Sequence, residues 1–371
     1  MTRCNALIAG GGTAGHVQPA LAIARAFVAR GHPPDSVHLV GSERGIEARL
    51  VPAAGFSVTL LPGRGFERRL SMREVRSAGA LLVACGRAMR LLGELRPAVV
   101  VSVGGYASVP CAVAAVLRRV PLVVAEQNAA PGAANRLTGR FARACAVSFD
   151  ETPLPNAVVT GNPVRPEIIA IDRHHDAEPA RVKLDIHPDH RVVLVFGGSL
   201  GALTLNRATR AAVDRWARRN DLHVRHIIGH RDWQEITAGG SPLPPEANLR
   251  YQAVPYDDDM PTSLAAADLV VSRSGSSTCF ELLAAGLPAV LVPSPHVTDD
   301  HQTANAERMV AAGAAVLIPD AELTGERLVE EVDALLEDPD RLSAMTAAAR
   351  ATARPGAADA IAAVAEEHAR G

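Results

Sequence analysis

Short apolar runs alternate with longer amphipathic or alanine-rich segments along the whole chain. The runs fall at 5–9, 37–41, 57–61, 98–103, 121–125, 144–148 and 157–160, then at 191–196, 223–228, 249–254, 268–272, 288–292 and 314–318. Between them, 19–30, 72–93, 108–118, 203–219, 278–285 and 302–312 have helical composition and spacing, and 320–371 is helical and acidic. This alternation predicts βαβ units, hence parallel sheets covered by helices on both faces. A polar stretch bearing His, Asp and Pro at 161–190 separates two halves of similar pattern. The fold class expected is α/β with two similar domains.

Each half opens with a strand that runs into a glycine-rich turn. Ala6–Ala9 leads into Gly10-Gly11-Gly12-Thr13-Ala14-Gly15-His16, and Val192–Phe196 leads into Gly197-Gly198-Ser199-Leu200-Gly201-Ala202. Backbone amides at a helix N-terminus, approached closely because glycine has no side chain, form a phosphate cradle. The first turn satisfies GxGxxG, but the second strand ends at Ser42 with Glu43 one place later, a poor match to the ribose-binding acid of an NAD domain. No GxxxxGK[ST] occurs, so phosphate-cleaving P-loop chemistry is not expected.

Composition narrows the class. The 371 residues are 48% apolar with a formal charge of −2, which speaks against a dedicated nucleic-acid binder. Lys183 is the only lysine beside many arginines. Cys4, Cys85, Cys111, Cys145 and Cys279 are scattered and odd in number, as expected of buried thiols in a reducing compartment. The first strand follows Met1-Thr2-Arg3 directly, leaving no room for a signal peptide, so a cytoplasmic location is expected. Residues 97–117 carry no charge, yet Gly104-Gly105 and Pro110 make a strand, turn and helix the better reading than a membrane span.

Several segments carry candidate chemistry. His16, in the first turn of a helix beside the first cradle, is a candidate general base. Ser272-Arg273-Ser274-Gly275-Ser276-Ser277-Thr278 leads from a strand into a helix and offers hydroxyls and amides to a phosphate. Glu281, one turn further, can take both hydroxyls of a ribose. Glu126-Gln127-Asn128, Gly161-Asn162-Pro163-Val164-Arg165 and His301-Gln302-Thr303-Ala304-Asn305 place amides or a guanidinium just past strands or at a helix start. Asp257–Asp259 and Asp299-Asp300-His301 lack metal-ligand spacing, so no metal is expected, and the former reads as a helix cap. Residues 64–96 hold eight arginines and three glutamates among Phe66, Leu70, Leu81, Leu82 and other apolar residues. That is either a core-facing helix with snorkelling arginines or a surface for an anionic bilayer.

Taken in order, these motifs resemble the MurG family, the UDP-N-acetylglucosamine transferases that complete the lipid-linked disaccharide of peptidoglycan. The carriers are 10–16 with Pro19, Gly104-Gly105-Tyr106, Glu126-Gln127-Asn128, 161–165, 197–202, Arg273-Ser274-Gly275 with Glu281, and His301-Gln302 with Asn305. Ala14, Ala125 and Asp257 depart from residues common in the family. The resemblance implies a GT-B fold, two Rossmann-like domains facing across a cleft. An acceptor domain would span 1–162 plus a returning helix at about 348–371, and a UDP-GlcNAc domain 163–347. It implies that Ser199, Ser277 and Thr278 meet the phosphates, with Arg273 also at the donor, Glu281 the ribose, and the backbone at Tyr256-Asp257 the uracil. Asn128, Ser276, His301 and Gln302 would address GlcNAc; Thr13, Ala14, Gly15 and His16 would face the acceptor and diphosphate, and Arg165 the nucleotide.

The implied reaction is inverting transfer of GlcNAc to the 4-hydroxyl of the muramyl sugar of undecaprenyl-linked lipid I. His16 is the base, Glu126 the next choice, and no cofactor is required. The implied partners are UDP-GlcNAc, lipid I, the cytoplasmic face of the cell membrane through the basic and apolar 64–96 stretch, and other cell-wall and division proteins. From the residues alone, a GT-B enzyme with another lipid or natural-product acceptor, an NAD-dependent oxidoreductase and a silent sugar-nucleotide-binding module remain alternatives.

Overall fold

The computed structural model describes residues 4–11, 14–43, 45–62, 72–198, 201–297 and 300–370, with the backbone alone for 14 and 72–78. The chain forms two compact units, one of residues 1–165 and 354–371, the other of 166–353.

In unit 1, β1 (Ala6–Gly11), α1 (Ala14–Ala29), β2 (Val37–Ser42), α2 (Glu47–Ala53), β3 (Ser57–Leu61), α3 (Met72–Leu95), β4 (Val99–Gly105), α4 (Ser108–Leu117), β5 (Leu122–Glu126), α5 (Ala133–Gly139), β6 (Ala144–Val147) and β7 (Ala157–Val159) follow one another. Unit 2 holds α6 (Pro166–Ile169), α7 (Arg173–Lys183), β8 (Arg191–Phe196), α8 (Leu203–Arg215), β9 (Leu222–Ile227), α9 (Trp233–Thr237), β10 (Arg250–Val254), α10 (Met260–Ala266), β11 (Leu269–Ser272), α11 (Ser276–Ala285), β12 (Ala289–Leu291), α12 (His301–Ala311), β13 (Ala315–Leu317), α13 (Gly325–Leu336) and α14 (Pro339–Thr352). The last helix, α15 (Ala357–Glu367), belongs to unit 1.

The sheets are parallel and share one topology, β3-β2-β1-β4-β5-β6-β7 and β10-β9-β8-β11-β12-β13. Each of the expected apolar runs is a strand. Val99, Val100, Val101 and Val103 of β4 are wholly buried, as required where helices cover both faces of a sheet. The uncharged 97–117 segment is therefore β4, a glycine turn and α4. No helix among the described residues is long and apolar enough to cross a membrane.

In unit 1, α1 and α15 cover one face of the sheet through Val17, Ile23, Phe27, Ile361 and Ala365, while α3 and α4 cover the other through Ala84, Leu92, Cys111 and Ala115. Polar contacts reinforce the docking of α15: Glu366 accepts from Arg30 at 2.8 Å and pairs with His32 at 2.8 Å. The second boundary lies later than the sequence suggested. Helix α14 continues to Thr352 because Leu342, Met345 and Ala349 stay buried, the first two in the unit 2 core. The chain then turns extended at Ala353.

The 161–190 stretch is more ordered than its composition suggests. Helix α7 forms there, capped by the Asp172 carboxylate accepting from His174 N at 3.1 Å. Only Ala180 of that helix is buried, so it lacks an apolar stripe that a sequence reading could find. Polar ties hold it: Arg181 reaches Asp268 at 2.9 Å, and Arg173 donates to the carbonyl of Ala267.

Candidate functional site

In both sheets the chain reverses direction between the first and fourth strands of the unit, and ligands bind outside the carboxyl ends of strands at such a switch point. Each glycine turn follows one of these strands, so each unit presents one cradle at its own switch point.

In unit 1, the switch point gathers residues that the sequence holds far apart. His16 lies half-buried in the first turn of α1. Gly104, at the end of β4, has φ +87°, and a Cβ there would sit 3.3 Å from His16 Nε2 and 3.4 Å from Asn135 Nδ2. Glycine is therefore required twice over, by the left-handed backbone and by the close imidazole. Asn135, wholly within the protein, donates to Glu126 Oε2 at 2.9 Å.

Glu126 is buried at the end of β5, and both its oxygens are engaged. Oε1 accepts from Asn128 N at 2.9 Å and Asn128 Nδ2 at 3.2 Å; Oε2 accepts from Gly132 N at 3.1 Å and from Asn135. Four N–H groups thus occupy the two carboxylate oxygens. Through these bonds Glu126, the second candidate base, shapes the 127–132 loop and orients Asn128 and Asn135.

One residue of this cradle escaped the sequence reading. Glu47, 2% exposed, packs its carboxyl against Gly11, Gly41 and Gly45. A Cβ on Gly41 would meet Glu47 Cβ and Cγ at 2.8 Å each. Nothing local marks a buried acid here, because the glycines that admit it come from β1, β2 and the loop after β2. Glu43 instead pairs with Arg87 at 3.1 Å on the surface. Thr13 lies outside the described residues; Ala14 and the exposed Gly15 open α1.

Unit 2 builds its cradle from three loops. The Gly197–Gly201 turn follows β8, and its Ser199 lies outside the described residues. Beside β8 runs β11, whose loop delivers Ser276, Ser277 and Thr278 at the start of α11. Gly275 is the N-cap residue and makes no side-chain cap, and a helix N-terminus of this kind suits an anionic group. Glu281 stands half-buried one turn further along.

The third loop leads into α12. Ser274 Oγ donates to the carbonyl of Gln302 at 2.8 Å, Asn305 Nδ2 donates to the carbonyl of Ser274 at 3.1 Å, and Ser294 N donates to Gln302 Oε1 at 2.8 Å. These bonds bring His301 and Gln302 beside the α11 cradle.

Arg273, expected at the donor, is tied into the protein by its own hydrogen bonds. Its guanidinium is nearly buried, donating from Nη1 to the carbonyls of Val292 and Pro293 at 3.0 Å each and to Asp320 at 2.6 Å, and from Nη2 to Thr204 Oγ1 at 2.7 Å. It fastens the start of α8 to the end of β12 and to Asp320, which positions the cradle from beneath.

Tyr256 is exposed and stacks on His230, with ring centroids 5.3 Å apart and planes 10° from parallel. The Asp257 side chain turns inward, accepting from Arg225 at 2.9 Å and from Ser263 at 2.5 Å. Burial opposes its charge, but these hydrogen bonds hold its carboxyl below the usual carboxylate range. Only the backbone of Asp257 is left to address a ligand. Asp259 caps α10 as expected. Arg165 is half-buried at the end of unit 1.

Beneath the Gly197–Gly201 turn lies a buried polar chain that no local motif announces. A Cβ on Gly201 would stand 2.5 Å from the carbonyl oxygen of Ile228 and 3.0 Å from Asp232 Oδ2. Asn206 Nδ2 donates to both those oxygens at 3.0 Å, which leaves Asn206 Oδ1 to accept from His226 Nε2 at 3.0 Å. His226 Nδ1 then accepts from the Tyr251 hydroxyl at 3.0 Å. Both imidazole nitrogens are satisfied by the neutral ring, and burial pushes the His226 pKa down to about 3.

The unfolded chain protonates this histidine near pH 6.5 and the folded chain does not, so stability is complete above that value and declines as pH falls toward 3. For this group alone, the protein is expected to be about 2 kcal/mol less stable at pH 5.0 than at pH 7.5, and His226→Gln should flatten that slope in urea unfolding. An unchanged slope would place the acid sensitivity elsewhere.

Among the described residues no group of three or more His, Cys, Asp or Glu could hold a metal ion.

Residues 6–147 match the glycosyltransferase family 28 N-terminal domain and 192–362 its C-terminal domain. With two Rossmann-like units, this defines the chain as a GT-B glycosyltransferase. The chain is 40% identical over 365 residues to UDP-N-acetylglucosamine–N-acetylmuramyl-(pentapeptide) pyrophosphoryl-undecaprenol N-acetylglucosamine transferase of Desulforudis audaxviator, covering 96% of each. It is 41% identical to the protein of that name from Frankia casuarinae, covering 96% of this chain and 94% of that one. The crystal structure of Acinetobacter baumannii MurG superposes with a TM-score of 0.79 at 28% identity, covering 98% of this chain and 99% of that one. The chain belongs to the MurG family. An NAD-dependent oxidoreductase is thereby set aside.

Proposed function

We propose that this protein transfers GlcNAc from UDP-GlcNAc to the 4-hydroxyl of the N-acetylmuramyl sugar of undecaprenyl-pyrophosphoryl-MurNAc-pentapeptide, lipid I, giving lipid II. The observation that carries this reading is the near-full-length identity of about 40% to proteins of that name, including both halves of the catalytic fold. The α11 N-terminus beside the second glycine turn supports it as a place for a diphosphate.

The α11 amides with Ser199, Ser277 and Thr278 hold the diphosphate of the donor, Glu281 the ribose, and the backbone at Tyr256-Asp257 the uracil. Asn128, Ser276, His301 and Gln302 orient GlcNAc, and Arg165 faces the nucleotide's charge. Thr13, Ala14 and Gly15 meet the acceptor. The acceptor hydroxyl attacks the anomeric carbon from the side opposite UDP, so the α-linked donor gives a β-linked product. His16 takes the hydroxyl proton as the C–O bond forms, and UDP departs with the electron pair of the broken bond. Preorganised amides and hydroxyls stabilise the charge developing on the diphosphate.

Incubating the purified chain with labelled UDP-GlcNAc and either lipid I or diacylglycerol tests the assignment. Labelled lipid II from the first alone is expected; transfer to diacylglycerol alone would move the protein to another acceptor class.

The membrane contact is assigned to the α3–α4–α5 side of unit 1, at the cytoplasmic face of the cell membrane. Leu82, Val83, Val113, Val116, Leu117 and Leu137 are exposed there, on helices that touch one another in sequence, with Phe141 exposed just past α5. Arg87, Arg90 and Arg136 are exposed on the same helices, and Arg140 at the C-terminus of α5. The 64–71 part of the basic stretch lies outside the described residues. Each leucine that enters a bilayer contributes about 2 kcal/mol. The double variant Leu82→Glu/Leu117→Glu should therefore bind phosphatidylglycerol vesicles at least about tenfold more weakly in sedimentation, with turnover of a soluble acceptor analogue unchanged. Undiminished vesicle binding would move the contact to another surface.

A further inference from the structure

Unit 1 carries a second concavity, at the opposite end of its strands from the glycine turn. It is a cavity of about 510 Å³ lined by Arg96, Arg118 and Arg370 together with Leu92, Pro97 and Val120. Pro97 and Val120 stand just before β4 and β5, where those strands enter the sheet. Gly104 and Glu126 stand where the same strands leave it. The length of a seven-residue strand, about 20 Å, therefore separates the cavity from the His16 cradle.

Three guanidinium groups line this cavity and no acidic side chain does. Their placement is built into the fold. The Arg118 guanidinium lies over Gly93, where a Cβ would come within 2.7 Å of Nη2 and 2.9 Å of Cζ, so any other residue there would displace it. Arg370 is held by its own amide donating to the Ala98 carbonyl at 3.0 Å and by Nη2 donating to the Arg118 carbonyl at 3.1 Å. It thus fixes the end of the segment that docks α15 on unit 1. Arg96 follows α3 directly, with a left-handed φ of 46°.

Guanidinium forks match phosphate oxygens two at a time, and like charges gathered on one wall favour a multiply charged anion. A diphosphate can meet more than one of these forks at once, whereas a single carboxylate fits one. The apolar side chains of Leu92, Pro97 and Val120 can cover an organic substituent, and the volume lies within the range of small-molecule sites.

We propose that the Arg96–Arg118–Arg370 cavity binds a diphosphate-bearing small molecule, separately from the nucleotide cradle, and that its occupant fastens the C-terminal segment to unit 1. This goes beyond the transfer reaction and does not depend on its acceptor.

Isothermal titration of the full chain with inorganic pyrophosphate, alone and with UDP saturating, tests the proposal. Saturable binding that survives UDP is expected, at least about tenfold weaker in Arg96→Ala/Arg118→Ala and weakened in Arg118→Lys, which keeps the charge but loses the fork. Arg90→Ala, an exposed arginine outside the cavity, should bind as the parent does. Hydrogen exchange across 357–370 should slow when pyrophosphate is bound. No saturable heat up to about 10 mM, displacement by UDP, or unaltered binding in both variants would overturn it. A parallel titration with phosphatidylglycerol vesicles separates the sources of phosphate. If the double variant loses vesicle binding while the parent ignores pyrophosphate, the arginines read a lipid headgroup and the small-molecule site is wrong.

Discussion

Replacing His16 by alanine is expected to lower kcat for lipid II formation by about 10²- to 10⁴-fold at saturating UDP-GlcNAc, the usual worth of a positioned general base. The expectation rests on placement. His16 is in the first turn of α1, at the switch point of the unit 1 sheet, with its imidazole against Gly104. The oxygens of Glu126, by contrast, are already engaged by four N–H donors of its own loop and of Asn135. His16→Gln keeps size and polarity without basicity and should fall as far as alanine. KM for UDP-GlcNAc should change little, because the donor contacts are assigned to unit 2. Near-parental kcat in either variant would show that the base is another group. A rise in KM with kcat preserved would instead make His16 a binding residue.

The second large effect concerns Arg273. Removing its guanidinium leaves the nearly buried Asp320 without its cationic partner, with only the Thr204 hydroxyl donating to it, and leaves the carbonyls of Val292 and Pro293 without that donor. Breaking such a pair costs about 3–5 kcal/mol, so Arg273→Met should lower the melting temperature of unit 2 by roughly 10 °C. Arg273→Met/Asp320→Leu should recover much of that loss, since an apolar replacement of both partners leaves no isolated charge. The same pair separates positioning from binding. If Arg273 acts by fastening Thr204 and the end of β12, the double variant should recover KM for UDP-GlcNAc along with stability. A KM that stays raised when stability returns would make Arg273 a donor ligand. A single variant costing less than about 1 kcal/mol would show the pair to be solvated.

Much of the cradle chemistry was visible residue by residue because it obeys local rules. A glycine turn after an apolar run, hydroxyls at a helix start and an imidazole in a first turn are each written in consecutive positions. The buried supports obey no such rule. Glu47 fits only because Gly11, Gly41 and Gly45 surround it, and its neighbours in sequence give no hint of that. Asn206, His226, Tyr251 and Asp232 come from four different elements and meet only where β8, β9 and β10 lie side by side. Helix α7 was missed for the related reason that polar ties rather than an apolar stripe hold it in place.

By itself the sequence determined the strands, their parallel arrangement, the two-unit division and the two glycine turns, because burial on both faces forces a continuous apolar run and a tight turn forces glycine. Only the tertiary structure decided what each polar residue does there. It set β11 beside β8, and so the α11 amides beside the second turn; it directed Arg273 and Glu126 inward as supports and left His16 at the mouth of the first. The physical reason is that a side chain's role follows from which partners reach it, and those partners arrive through sheet order and packing between segments that the sequence keeps far apart.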